Sequence, residues 1–274
     1  MEPTSLPVVA VFGLALLSFI ARATLFVGTA IAFLQTRVAQ VRRVYVRAFG
    51  KGQLKSELRA AALVLVVDAL ALTGFYALGG LVSAEPTPAR TVGSFLALAT
   101  WFEIWFYATH RAMHHRRLYW LHAQHHVAKV THPLTSLSFD VLERGVLIIG
   151  ALGFIAVVSR VVPLSAPGIA AYFLVNYALN VWAHLNVELM PASYGRSRLS
   201  RVFISTTFHA MHHARYTGHY GLFTTVLDRV LGTAWDDTPE VQARAARGQG
   251  LTTMGERVTL RDDVGKAAAP DASP

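Results

Sequence analysis

Cysteine is absent from the 274 residues of this chain. That excludes disulfides, thiolate-bound zinc, cysteine-held iron–sulfur clusters and C-x-x-C-H haem attachment, and leaves the compartment open, since a reducing cytosol and a simple bacterial envelope are both compatible. Charge is scarce too: Asp, Glu, Lys and Arg make up 15% of the chain, against about a quarter in ordinary domains, while apolar residues reach 53%. Acidic residues are the scarcer sign, 16 against 25 basic ones. Neither H-E-x-x-H nor G-x-G-x-x-G occurs, which removes the common zinc-protease pattern and an internal nucleotide-bound electron carrier.

Long apolar runs are present instead, at 6–33, 58–82, 92–108, 146–162 and 169–187. Each approaches or exceeds the about 20 residues that a helix needs to cross hydrocarbon. They predict an all-α integral membrane helical bundle of four or five spans, the last two joined in a hairpin through 163–168. The first run follows a leader with Glu2 and no basic residue, so it reads as a retained helix rather than a cleaved signal. Residues 1–240 are expected to form one membrane-embedded domain; 241–274, without a sustained apolar face, are expected to be a disordered tail.

Basic residues set the expected orientation. Arg37, Arg42, Arg43, Arg47, Lys51, Lys55 and Arg59 lie between the first two runs with only Glu57 opposing them, which marks that side as cytoplasmic. Counting crossings from there brings every histidine-rich segment to the same side. The net charge of +9 fits loops resting on anionic headgroups, at about 1 kcal/mol per basic residue, better than it fits nucleic acid.

All twelve histidines fall between His110 and His219, most of them in three boxes: H-R-A-M-H-H at 110–115, H-A-Q-H-H at 122–126 and H-A-M-H-H at 209–213. At about 100° per residue, His122, His125 and His126 share one helical face, as do His209, His212 and His213. His110 and His114 align likewise, with His115 a third of a turn aside, so helical geometry favours His114 over His115. So many imidazoles exceed what one ion coordinates, and two metals are the economical reading.

These boxes resemble those of the fatty acid hydroxylase and sterol desaturase superfamily. His184-Leu-Asn-Val followed by Pro191, Tyr220-Gly221 and Leu227-Asp-Arg-Val-Leu-Gly-Thr233 are similar to three further family segments, so the likeness covers about 92–235. The chain departs at His219, where many members have asparagine, and at Leu227, where they have tryptophan. His219 is therefore either an extra ligand, a donor to a ligand, or a rim histidine.

The resemblance implies an O2-dependent non-haem di-iron oxygenase that hydroxylates or desaturates a C–H bond of a membrane lipid: a sterol-like ring, an acyl chain or a terpenoid. It implies ligands at His110, His114, His122, His125, His126, His184, His209, His212 and His213, two iron ions (zinc possible in a purified form), and an external electron donor of ferredoxin or cytochrome b5 type with its reductase. Composition points to a bacterial inner membrane with the metal site facing the cytoplasm. The alternatives are a zinc-dependent membrane lipid hydrolase and a non-enzymatic membrane metal transporter or sensor.

Several other side chains carry expectations. Glu103, seven residues before His110, either orients a ligand histidine or pairs with another donor; Asp68 poses the same question. Asp140, Glu143 and Glu188 are expected as solvated carboxylates or salt-bridge partners, and Asp228 with Arg229 as a local pair. Trp101, Phe102, Trp105, Phe106 and Tyr107 read as an interfacial belt or a lipid slot. Asn176, Tyr177 and Asn180 either line the same cavity or hydrogen-bond across helices.

Overall fold

The computed structural model describes residues 6–258. All five apolar runs are helical: α1 (Val8–Leu34), α3 (Gln53–Ala77), α4 (Pro88–Met113), α6 (Val141–Val158) and α7 (Ala166–Ala183). Shorter helices complete the chain: α2 (Arg37–Val41), α5 (Tyr119–His122), α8 (Thr206–Arg215), α9 (Val226–Val230) and α10 (Thr238–Ala246). Among the described residues there are isolated bridges but no strand. The all-α class and the membrane character hold. Three helices, α1, α3 and α6, are long and apolar enough to cross a bilayer. The remaining two runs form α4, which carries Glu103 and His110, and α7, which carries two asparagines.

The helix limits have local causes. The Thr87 hydroxyl accepts from Arg90 N at 3.2 Å and Pro88 opens α4, while Asp140 caps α6 through Leu142 N at 2.8 Å. Helix α3 begins earlier than its apolar run because its polar first turn is buried. There Gln53 donates to Val130 O at 2.8 Å, and Thr135 Oγ1 donates to Glu57 at 2.6 Å.

The five long helices pack as a ring in the order α1, α3, α6, α4, α7 and back to α1. Most of α1 faces outward, with only Ala15, Ala23 and Val27 buried and leucines such as Leu14, Leu17 and Leu25 exposed. Helices α4 and α7 approach so closely at Gly168 that a Cβ there would lie 2.3 Å from Thr91 O. Trp101 and Trp105 bind the neighbouring helix. Their indoles donate to Gly150 O at 2.8 Å and Val146 O at 3.1 Å on α6, fastening the ring from within.

Charges also enter the ring. Arg144 of α6 grips Asp68 of α3 with two bonds of 2.6 and 2.7 Å, so Asp68 pairs within the bundle and touches no histidine. Arg22 sits near the middle of α1, where an arginine costs about 3 kcal/mol on insertion scales.

Above the ring, a second core of Val44, Tyr45, Val130, Met211, Val241, Ala245, Leu251 and Val258 builds a cap. Val46 N donates to Leu251 O at 2.9 Å and Leu251 N to Val44 O at 2.8 Å. The expected loss of order from 241 onward therefore fails for 241–258: helix α10 and the segment after it bury Val241, Ala245, Leu251 and Val258 against residues distant in sequence. The rest of the expected tail, 259–274, lies outside the described residues.

Candidate metal centre

Two adjoining groups of histidines converge between ring and cap. His110, His114, His122, His126 and His212 form one; His125, His184, His209 and His213 form the other. Within each group the offered ligand atoms lie within 4.8 Å of one another. All nine sequence-identified ligand candidates are brought together, His114 is inside and His115 is outside, exposed on the surface.

The boxes do not map one to one onto the groups. The second was expected as a continuous helix with one histidine face, but α5 ends at His122 and a 3-10 turn carries His125–Val127. His122 and His126 consequently enter the first group and His125 the second. On α8, His209 and His213 stand one turn apart and share the second group, while His212 turns to the first. Both groups are thus tied by residues adjacent in sequence.

Their chemistry is set by what holds each Nδ1. His110 donates to Tyr220 O (2.9 Å), His125 to Ser138 O (3.2 Å), His184 to Asn180 O (2.7 Å), His212 to Gly218 O (2.8 Å) and His213 to Ala128 O (2.9 Å). His122 Nδ1 meets Glu143 Oε1 at 2.5 Å. A carbonyl only accepts, so the five rings that face one carry their proton on Nδ1 and turn the Nε2 lone pair inward. Nε2 of His110, His114 and His122 is buried without a partner. In the second group, His184 Nε2 lies 3.3 Å from His125 Nε2 and 2.9 Å from His209 Nε2, and His209 lies 3.2 Å from His213.

The Nε2 lone pairs of His125 and His184, whose other nitrogens both donate to carbonyls, face one another at 3.3 Å and repel unless a cation lies between them. Nitrogens bound at about 2.0–2.1 Å to one ion sit roughly 3 Å apart, so the donor set fits a metal. Burial, reinforced by neighbouring imidazoles, holds His122, His125, His126, His209, His212 and His213 well below the ordinary histidine range and therefore neutral. Neither group contains a carboxylate.

The supporting carboxylates differ from expectation. Glu143 is fully buried and not solvated; it pairs with His122. Glu188 is also fully buried and accepts from Thr207 N (3.2 Å), Thr207 Oγ1 (2.6 Å) and Met190 N (2.8 Å). It thereby places negative charge at the N-terminus of α8, complementing the helix dipole. Asp228 does not pair with Arg229: it accepts from Tyr220 N, Gly221 N and Thr233 Oγ1 at 2.6–2.8 Å, fixing the turn whose carbonyl holds His110. A Cβ on Gly221 would lie 2.2 Å from Thr224 O, so that turn requires glycine.

Glu103 touches no histidine either. It accepts from Phe223 N and Thr224 N and Oγ1, anchoring the segment after the third box to α4. His219 belongs to neither group: its Nδ1 donates to Phe208 O at 2.9 Å and its Nε2 accepts from Trp235 N at 3.1 Å. It ties α8 to the segment leading into α10.

Spacing alone could not reveal Glu143 or Glu188, whose contacts cross between elements. Arg22 left a visible signal, a lone arginine inside an apolar run.

The sequence profile of the fatty acid hydroxylase family matches residues 95–233. Among curated proteins, a rice very-long-chain aldehyde decarbonylase, GL1-1 (Oryza sativa subsp. indica), is 32% identical over 200 residues, covering 68% of this chain and 30% of the relative. Another, GL1-6, is 30% identical over 152 residues, 54% of this chain and 24% of the relative, and Protein CER1-like 1 of Arabidopsis thaliana is 30% identical, with 52% and 23% covered. The chain therefore spans less than a third of these relatives' length. They are plant proteins and lend no support to the bacterial membrane expected from composition. No solved structure matches the chain. The matched region contains every histidine of both groups, and this chain belongs to the fatty acid hydroxylase family.

Proposed function

We propose that this protein is a membrane oxygenase that holds two irons in its two histidine groups and uses O2 with two external electrons to hydroxylate or desaturate a C–H bond of a membrane lipid. The carrying observation is the pair of buried all-imidazole groups whose Nε2 atoms converge while carbonyls and Glu143 fix the opposite nitrogen. The irons would supply the O2-derived oxidant that an inert C–H bond requires and that no acid–base group provides. O2 takes up four electrons; the C–H bond gives two, and a donor of ferredoxin or cytochrome b5 type gives the others.

The protein's own residues bind, orient and exclude water. His110, His114, His122, His126 and His212 would hold one ion, and His125, His184, His209 and His213 the other. Phe139, stacked on His125 with ring centres 4.7 Å apart, and Phe106, 4.9 Å from His110, screen the groups on the bundle side. The basic 37–59 segment supports a cytoplasmic cap, where a soluble donor reaches it. Decarbonylation of a very-long-chain aldehyde is a second reading, favoured by the activity named for the rice relatives.

Iron content and Mössbauer spectra of the detergent-purified chain test the proposal. Two coupled irons per chain are expected. Zinc alone, persisting after iron-supplemented growth and anaerobic purification, would turn the reading to a hydrolase working through metal-activated water.

A further inference from the structure

Where the end of α7 meets the segment leading into α8, an apolar groove of about 290 Å3 opens beside Leu199 and Phe203, which are 62% and 52% exposed. Its wall carries no charged residue and no histidine of either group, so it is separate from the metal centre. Two polar groups in that wall are unsatisfied. Trp182 Nε1 on α7 and Thr206 Oγ1, on the first residue of α8, are both buried without a hydrogen-bond partner. An acceptor in the groove would recover the free energy that an unpaired buried donor costs. Hydrocarbon alone leaves both groups unpaired, and a carboxylate brings a charge into a wall that has no cation to meet it. A neutral acceptor on an apolar chain meets both conditions, and the acyl ester of a glycerolipid is such a group.

The surface around the mouth points the same way. Ile204 N donates to Phe223 O at 3.1 Å and Thr225 N to Val202 O at 2.8 Å, which sets Leu199, Val202 and Phe203 beside α9 with its exposed Val226 and Val230. Arg196, Arg198 and Arg201 are exposed in the same segment. Among the described residues, Arg196 alone of the three has an ion pair, a long one of 3.4 Å to Glu240. An exposed apolar patch marks a contact surface, and arginines at its rim match a leaflet of anionic head groups. Each guanidinium can fork onto a phosphate.

We propose that the groove holds a resident anionic glycerophospholipid, with one acyl chain in the groove, ester carbonyls on Trp182 and Thr206, and the phosphate at Arg198 and Arg201. The rest of the lipid stays in the bilayer. It is a structural ligand and not the molecule that reacts, because no ligand histidine faces it. Thr206 opens the helix that carries His209, His212 and His213, so the lipid clamps that helix to the end of α7. Such a lipid is bound whatever reaction the histidines serve.

Lipid retained by the full-length chain through detergent washing, read by native mass spectrometry, tests the site. Phosphatidylglycerol is compared with its diether, which keeps chains and head but lacks the carbonyls, and with phosphatidylcholine, which keeps the esters but has no net charge. About one phosphatidylglycerol per chain is expected, with about tenfold weaker retention of either analogue. Trp182→Phe combined with Thr206→Val should erase the preference for ester over ether and leave the diether bound as before. Arg198→Gln combined with Arg201→Gln should erase the preference over phosphatidylcholine. Equal retention of phosphatidylglycerol and either analogue by the unmodified chain overturns the proposal, as does a folded Trp182→Phe, Thr206→Val chain that still prefers the ester. Should that variant not fold, the absence of cysteine lets Leu199→Cys, at an exposed position, carry a single bimane label in nanodiscs. Quenching by phosphatidylglycerol brominated high on its chains supports the site, and a label that stays in water overturns it.

Discussion

The two histidine groups use the same donor and differ in how they are closed. The four-membered group is wholly buried, and three of its rings are fixed by main-chain carbonyls. The five-membered group includes the partly exposed His114, borders Tyr119 and Tyr216, and rests one ring on a carboxylate. The first has no ligand to spare and little access; the second has a ligand in excess and an opening. Under the proposed oxygenase reading, the partly exposed side at His114 is where electrons and a small oxidant would enter.

The comparison breaks most readily at its scarcer side. His209→Ala should abolish turnover, by more than 100-fold, and lower metal content, whereas His114→Ala should retain both metals with reduced activity; equal losses would show that the groups are not unequal. Next in size, Glu143→Ala should weaken metal affinity in the five-membered group about 10- to 100-fold with Glu143→Gln intermediate, and a two-site metal titration should leave the other group unmoved. Glu188→Ala strips the partner from Thr207 N and Met190 N and should cost on the order of 1–3 kcal/mol of stability, read by denaturant unfolding and shared by both groups because α8 serves both.

Smaller again is a pH effect away from the metals. Burial lowers His219 from 6.5 to about 3. Between those values the unfolded chain binds the extra proton, so stability is fully present above about pH 6.5 and falls with pH toward 3, by at most about 1.4 kcal/mol per unit. His219→Asn should flatten that part of the unfolding profile. Least of all, His115→Ala should change stability by less than about 0.5 kcal/mol and leave metal content intact.

Much of this was legible because it is local. Apolar length marked the five long helices, histidine spacing marked the box histidines and favoured His114 over His115, and the family resemblance added His184. Local pattern could not show that the chain leaves its helix after His122 and sends His125 to the other group, since packing against Phe139 and Ser138 decides it. Glu143 and Glu188 look solvated until a distant segment covers them, and Asp228 looks like a partner for its neighbour Arg229 until the Tyr220–Gly221 turn folds onto it. The order of 241–258 depends likewise on a seam with residues 44–46.

The sharing of α8 between the groups also fixes when the centre can be filled during synthesis. His209, His212 and His213 complete both sets of ligands, and Gly218 and Tyr220 supply carbonyls that orient His212 and His110. Until residue 220 has left the ribosome, neither half is closed, whatever the earlier helices have done in the bilayer. If the two groups hold metal as proposed, neither ligand set is complete before the chain has been made through α8.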